Sequence, residues 1–226
     1  YCDWLADVIH DAGVPIREWS GWQTRSASQG GFYSVPGGII DHHTASGTPQ
    51  NWQNNWNYST FNDDAAPEYN IGVDPDGTHN ILAAGGVNSS GSGGPVTLGS
   101  GTYTSNVNYK LISFSFANNG VGETYPEKML ENSIKAHAAV LEKLGRKADC
   151  VTSHKEWTGQ QSICPSRKSD PYGPWGGKYA GMGDWGPQGG TAPFGLNKWR
   201  ELITDAMTEE VEDMPLTQYE INKSAE

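Results

Sequence analysis

The chain has 226 residues, enough for one sizeable domain with a short tail, and carries a net charge of −11 with a pI near 4.9. That balance argues against nucleic acid as a partner, since phosphate contacts need clustered Lys and Arg, and against anionic membrane surfaces. No stretch approaches the roughly 18 apolar residues of a membrane span, and 35% hydrophobic residues with 9 Trp, 10 Tyr and 29 Gly predict a compact core wrapped in wide loops.

Residues 3–12 predict a first helix: Leu5, Val8 and Ile9 share a face, Asp3 can cap the start and Gly13 can end it. His10 in that helix reads as a surface histidine. Residues 18–37 are Gly- and Ser-rich and read as irregular. The run 37–43 (GGIIDHH) is apolar and ends abruptly in polar groups, the pattern of a buried strand that delivers side chains at its carboxyl end. Thr48-Pro49 predicts the start of a helix that carries Trp52 and Trp56 four apart. Residues 69–84 predict a hairpin around Asp-Pro-Asp-Gly, which is strong turn chemistry. Residues 85–106, almost wholly small and polar, predict a long loop of the kind that often carries function.

Residues 111–117 alternate as a strand does. Residues 127–144 form the strongest helical pattern, with Leu130, Ile134, Ala138, Leu141 and Leu144 on one stripe and Gly145 after it. His137 flanks that stripe and reads as a packed residue rather than a ligand. A short element ends at His154, residues 171–195 read as loop, and Asn197 is expected to cap a last helix running to about Met207. The acidic run 208–213 reads as a solvated tail. The order predicts an α/β fold, a central mixed β-sheet flanked by helices, in one domain over 1–207, with 208–226 as an acidic tail or linker and no second hydrophobic core. Cys2, Cys150 and Cys164 cannot all pair and show no Cys-x-x-Cys spacing, which fits a reducing compartment. No leader of charged, apolar and small residues is visible at the start.

A catalytic metal site needs three ligands from His, Asp, Glu or Cys and one open position. The chain offers His42-His43 past a buried strand, His154 past another apolar element, and Asp170 sixteen residues later. Spacing alone leaves the alternative open that each is hydrogen-bonded structure.

These segments carry a resemblance. His42-His-Thr-Ala45, the run 69–77 (YNIGVDPDG), His154-Lys-Glu-Trp157 and Lys168-Ser-Asp-Pro171 resemble the type 2 N-acetylmuramoyl-L-alanine amidases, a family that includes peptidoglycan-recognition proteins and many phage endolysins. The run 118–123 (NNGVGE) is similar to endolysin amidase domains from actinobacterial phages. The resemblance covers about residues 1–207. It implies the recognition-protein fold with long Gly-rich loops, a Zn2+ cofactor, and hydrolysis of the amide between N-acetylmuramic acid and L-alanine in peptidoglycan. It implies His42, His154 and Asp170 as metal ligands, with Cys164 as a rival for the third place; Lys168, two before Asp170, favours Asp170. It implies Lys168 and Tyr69 as catalytic residues, Lys168 near the developing oxyanion and Tyr69 at the water. His43 should point to the opposite face from His42.

Two positions depart from the family pattern. Ser115 stands where many relatives have a Glu on the strand before Asn-Asn-Gly, and Ser89 and Ser90 stand where many have a His. Tyr69, Glu123 and Glu156 are then the candidates for proton acceptor. Trp52, Trp56, Trp157, Trp175 and Trp185 are candidates to stack on sugar, about two of them being expected to do so. The resemblance further implies a monomer acting on peptidoglycan, held in the host cytoplasm until holin-type release to the wall. The competing readings are a non-catalytic peptidoglycan-binding module and a virion-associated wall-degrading component.

Overall fold

The computed structural model describes residues 1–46, 52–62, 66–159, 168, 170–182 and 195–213, the side chains of the last helix as far as 208. Its elements run α1 (Leu5–Asp11), β1 (Ile16–Glu18), β2 (Ile39–His43), α2 (Trp52–Asn57) continued by a π-helical turn (Tyr58–Asn62), β3 (Ile71–Val73), β4 (His79–Ile81), β5 (Val96–Leu98), β6 (Gly101–Tyr103), β7 (Ile112–Phe116), α3 (Glu127–Leu144), β8 (Val151–Ser153), α4 (His154–Gly159) and α5 (Leu196–Asp213).

Six strands form one sheet in the order β1-β4-β3-β7-β2-β8. Every pairing is parallel except the β3–β4 hairpin. This is the mixed sheet that the sequence predicts. β7, β2 and β8 are parallel neighbours, so their carboxyl ends lie along one edge, the usual place for a site in such a sheet.

The two faces are packed differently. α3 covers one face, with α1 and α5 packed against it. Leu130, Ile134, Ala138 and Leu141 of the predicted stripe are buried there, joined by Met129, Ala136 and Val140, so α3 is covered on more than one side. Gly145 adopts φ 64° after α3, and the amides of Gly145 and Arg146 close on Glu142 and Leu141, a glycine-ended helix terminus. On the other face a smaller apolar cluster joins Ile40, Val96, Leu98, Val107, Leu111 and Trp157. A second cluster is therefore present, contrary to the expectation of one core. It exists because the strand residues alternate and both faces must be covered. Part of its cover is the β5–β6 hairpin, which lies inside the segment expected to be pure loop.

Other boundaries also shift. α1 begins at Leu5 with no side-chain cap from Asp3. β1 sits at the edge of the segment expected to be irregular. Asn197 is the second residue of α5 rather than its cap, and its Oδ1 faces Arg200. α5 runs on to Asp213, so the last helix extends past Met207 through the acidic run. Thr48-Pro49 lies outside the described residues. His10 is exposed and His137 is fully buried, as expected of each. No described helix is long and apolar enough to cross a membrane.

Candidate metal centre

β2 and β8 pair with Asp41 opposite Ser153. The next residue of each chain segment is a histidine, so the register alone sets His42 beside His154. Asp170 reaches them from further along the chain, and its carbonyl accepts the Lys155 amide, which ties Asp170 to the start of α4. His42 Nδ1 and His154 Nδ1 are 3.1 Å apart, and Asp170 Oδ2 lies 3.1 Å from the first and 2.9 Å from the second. All three residues are buried, at 1%, 3% and 7% exposure.

This arrangement suits a metal ion. Ligands about 2.0–2.1 Å from a tetrahedral zinc stand about 3.3 Å from one another, a few tenths more than the spacing here. His154 Nε2 lies 3.0 Å from the Ser90 carbonyl oxygen, an acceptor, so that nitrogen carries the hydrogen and Nδ1 turns its lone pair to the centre. His42 Nε2 faces the Ser90 hydroxyl at 3.5 Å. Burial pulls His42 down to about 4, which keeps it neutral and able to bind metal near pH 7. Burial alone would push the Asp170 carboxyl up, but the neighbouring histidines, His154 foremost, outweigh it and hold it well below the usual range. Two imidazole lone pairs and a carboxylate oxygen thus converge on one point, an arrangement that a cation relieves. Among the described residues this is the one group of three or more His, Cys, Asp or Glu side chains so disposed.

The other expected residues fall in several places. His43 points to the opposite face, where its Nδ1 lies 3.5 Å from the Tyr125 hydroxyl. The Tyr69 ring packs against His42 with centroids 5.7 Å apart, so Tyr69 is brought to the centre. Lys168 is exposed, and its charge helps to lower His43, though burial does most of that. Cys164 lies outside the described residues; Cys2 and Cys150 are buried and free.

Neither glutamate proposed as proton acceptor joins the histidines. Glu123 Oε2 accepts the Asn119 amide at 2.7 Å and closes its own loop. Glu156 Oε2 is held by Arg200 at 3.0 Å and by the Thr152 hydroxyl at 2.6 Å. Ser115 pairs in register with His42, is fully buried, and its hydroxyl has no hydrogen-bond partner. The tryptophan expectation also changes. Trp52, Trp56, Trp157 and Trp175 are buried, so these four offer no open face to sugar, and Trp185 lies outside the described residues. Trp56 lies over Gly72, where a Cβ would come 2.7 Å from its ring, and Trp157 fills the space left by Gly93 and Gly94.

Ser90 is the residue that sequence reading undervalues. It contacts both histidines, one through its backbone carbonyl and one through its hydroxyl. The signal that could have found it is its place in the loop where relatives carry a histidine.

A mixed sheet whose parallel strands deliver two histidines to a buried aspartate defines a class, the α/β domains with a candidate site at the carboxyl edge of the sheet. Residues 33–173 match the family model described as N-acetylmuramoyl-L-alanine amidase, and the chain belongs to that family. Among solved structures it is similar to PlyL (18% identity, covering 65% of this chain and 84% of that one, TM-score 0.46). It is also similar to the amidase LysC from Clostridium intestinale (19%, 69% and 91%, 0.41) and to Drosophila PGRP-LB (17%, 67% and 87%, 0.42). No curated protein matches the chain.

Proposed function

We propose that the chain is a zinc-dependent hydrolase of the amide between N-acetylmuramic acid and L-alanine in bacterial peptidoglycan. The observation that carries this reading is the convergence of His42 Nδ1, His154 Nδ1 and Asp170 Oδ2 in a chain of the amidase family. His42, His154 and Asp170 would hold the ion, with Ser90 fixing the histidine rings. When bound, zinc supplies Lewis-acid polarisation of the scissile carbonyl and acidifies water to near neutrality.

The protein's own groups do the rest. Tyr69, packed on His42, offers a hydroxyl that orients the attacking water and passes its proton. Lys168 brings a positive charge to the oxyanion that develops on the substrate. Glu123 and Glu156 are engaged elsewhere, and Ser115 contributes a hydroxyl beside His42, not a carboxylate. Proton transfer therefore falls to Tyr69 and solvent. The setting that fits is a monomeric endolysin domain, waiting in the host cytoplasm of a phage infection and reaching the wall after holin-type release.

The test is mass spectrometry of peptidoglycan digested by the purified protein. Free stem peptides beginning with L-alanine are expected, lost on chelation and restored by zinc. Uncut muropeptides from a zinc-loaded sample would overturn the proposal and leave the non-catalytic binding module in its place.

A further inference from the structure

Residues 85–90 lie in neither helix nor strand, yet they end with Ser90 placed against both histidines. Glycines and serines bring little packing of their own, so such a segment has to be held from outside. The amides of residues 84–88 donate in turn to the carbonyls of Trp22, Arg25, Gly30, Asn108 and Pro67, at 2.9–3.1 Å. The Ser90 amide is held by a side chain instead: Asn108 Oδ1 accepts it at 2.8 Å. Asn108 therefore grips the loop twice, at Val87 through its own carbonyl and at Ser90 through its side chain. Asn108 is itself well seated. It sits in a single 3₁₀ turn, Val107–Tyr109, between two buried residues, and the Lys110 and Leu111 amides both donate to the Val107 carbonyl. The Tyr109 ring covers Gly86, where a Cβ would come 2.1 Å from it.

We propose, on the metal-dependent amidase reading above, that Asn108 is a positioning residue for the centre: by accepting the Ser90 amide it aims the Ser90 carbonyl at His154 Nε2 and the Ser90 hydroxyl at His42 Nε2. The amide, the carbonyl and the hydroxyl all branch from the Cα of Ser90. Once the planar peptide before Ser90 is fixed, only φ and ψ of that residue remain to be set. The Gly91 carbonyl accepts the Trp157 indole at 3.4 Å, which holds the chain on the far side. Ser90 is thus fixed from both directions, and Asn108 is the side chain that fixes it from the first. Ser90 is 1% exposed, whereas Asn108 is half-buried and has no contact with the three candidate ligands. The role requires an acceptor oxygen at that place. Alanine supplies none, and aspartate keeps one.

The test reads His154 in the full chain without metal. Its Nε2–H, 3.0 Å from the Ser90 carbonyl, is expected to give a protected imidazole N–H signal in proton–nitrogen NMR. Asn108→Ala is expected to lose that signal to exchange with water and to hold zinc about tenfold more weakly in competition with a chelator. Asn108→Asp is expected to retain both. Asn108→Leu, close in size and without an acceptor, carries the expectation of Asn108→Ala should that variant not fold. A residue that served stability alone would shift the melting of the metal-free chain and leave the His154 proton and the zinc affinity as in the parent; that result overturns the proposal. Equal loss in Asn108→Asp also overturns it, because the oxygen would then not be the anchor. The His154 signal needs neither zinc nor substrate. An inactive chain with the expected change at His154 supports the positioning role and removes the amidase reading alone. An active amidase whose His154 is indifferent to Asn108 removes the positioning role alone.

Discussion

Ser90 and Asp170 act on the same two histidines from opposite sides. Asp170 contributes a carboxylate oxygen at 2.9–3.1 Å, while Ser90 holds the far nitrogens. Their substitutions should therefore differ in kind. Asp170→Asn keeps the shape and removes the charge, leaving two neutral imidazoles; zinc measured by atomic absorption after dialysis should fall to near nothing. Ser90→Ala removes only the hydroxyl facing His42, since the carbonyl that orients His154 is main chain. Zinc should stay but bind about tenfold more weakly in competition with a chelator, the scale of loss for such supporting contacts. An unchanged affinity would show that His42 is oriented without Ser90. Tyr69→Phe should lower kcat about a hundredfold with little change in KM, read on a muramyl-peptide substrate. The convergence of His42, His154 and Asp170, with Tyr69 packed beside them, is legible in the sequence, because a side chain proposed as ligand or phenol has to be a particular residue type. The carbonyl of Ser90 is not, because any residue has one. The diversion of Glu156 is equally hidden, since the Arg200 that holds it lies 44 residues away.

The elements that read most clearly are β2 and α3. β2 passes from buried Ile39 and Ile40 to buried polar groups, α3 buries a long apolar stripe, and α3 ends at a glycine with positive φ. The β5–β6 hairpin is illegible by the same logic, since Val96, Leu98 and Tyr103 are isolated among Gly, Ser and Thr and acquire a face only against Ile40 and Trp157. The β3–β4 hairpin, read correctly from its turn, contains a feature with a pH consequence. His79 is fully buried on β4, and its Nδ1 lies 3.0 Å from the Gly77 carbonyl. Burial, against the pull of that hydrogen bond, draws it from 6.5 down to about 3. Between those values the unfolded chain binds a proton that the folded chain refuses. Stability is therefore unaffected by His79 above about 6.5 and falls as pH drops from there towards 3, by at most about 1.4 kcal/mol per unit for one such group. His79→Gln should show a smaller loss of Tm between pH 7 and pH 4 than the parent. Both proteins are compared with zinc chelated, so that His42 contributes alike. Parallel Tm profiles would mean that His79 takes its proton within the folded state.

At the scale of the whole molecule, α5 closes the structure over the back of the metal strand. Asp41, next to His42 on β2, receives His137 Nε2 of α3 at 2.8 Å and the Trp199 indole of α5 at 3.1 Å. Trp199 is itself fully buried, edge-on to Phe116 and His137. Nearby, Arg200 donates to the Val151 carbonyl at the start of β8 and to Glu156 on α4, the helix that His154 begins. The strands behind both histidines are thus pinned by consecutive residues of α5, Trp199 reaching β2 from 158 residues away and Arg200 reaching β8 from 49. Arg200→Ala strips two charge-assisted contacts from a largely buried place and should cost about 2 kcal/mol in the denaturant midpoint, with Trp199 still seated. A chain ended before Leu196 loses Trp199 as well, leaving Asp41 with a vacant side and a hole beside Phe116. Loss of a buried tryptophan alone costs about 3–5 kcal/mol, a large part of a domain's net stability. That shortened chain should fail to show a cooperative melt, whereas one ended at Asp213, which keeps all of α5, should melt as the full chain does. Equal, cooperative melting of both would show that the sheet and its metal edge stand without α5. Zinc retention by the shorter form would then locate the whole of the site's rigidity in β2, β8 and the Ser90 loop.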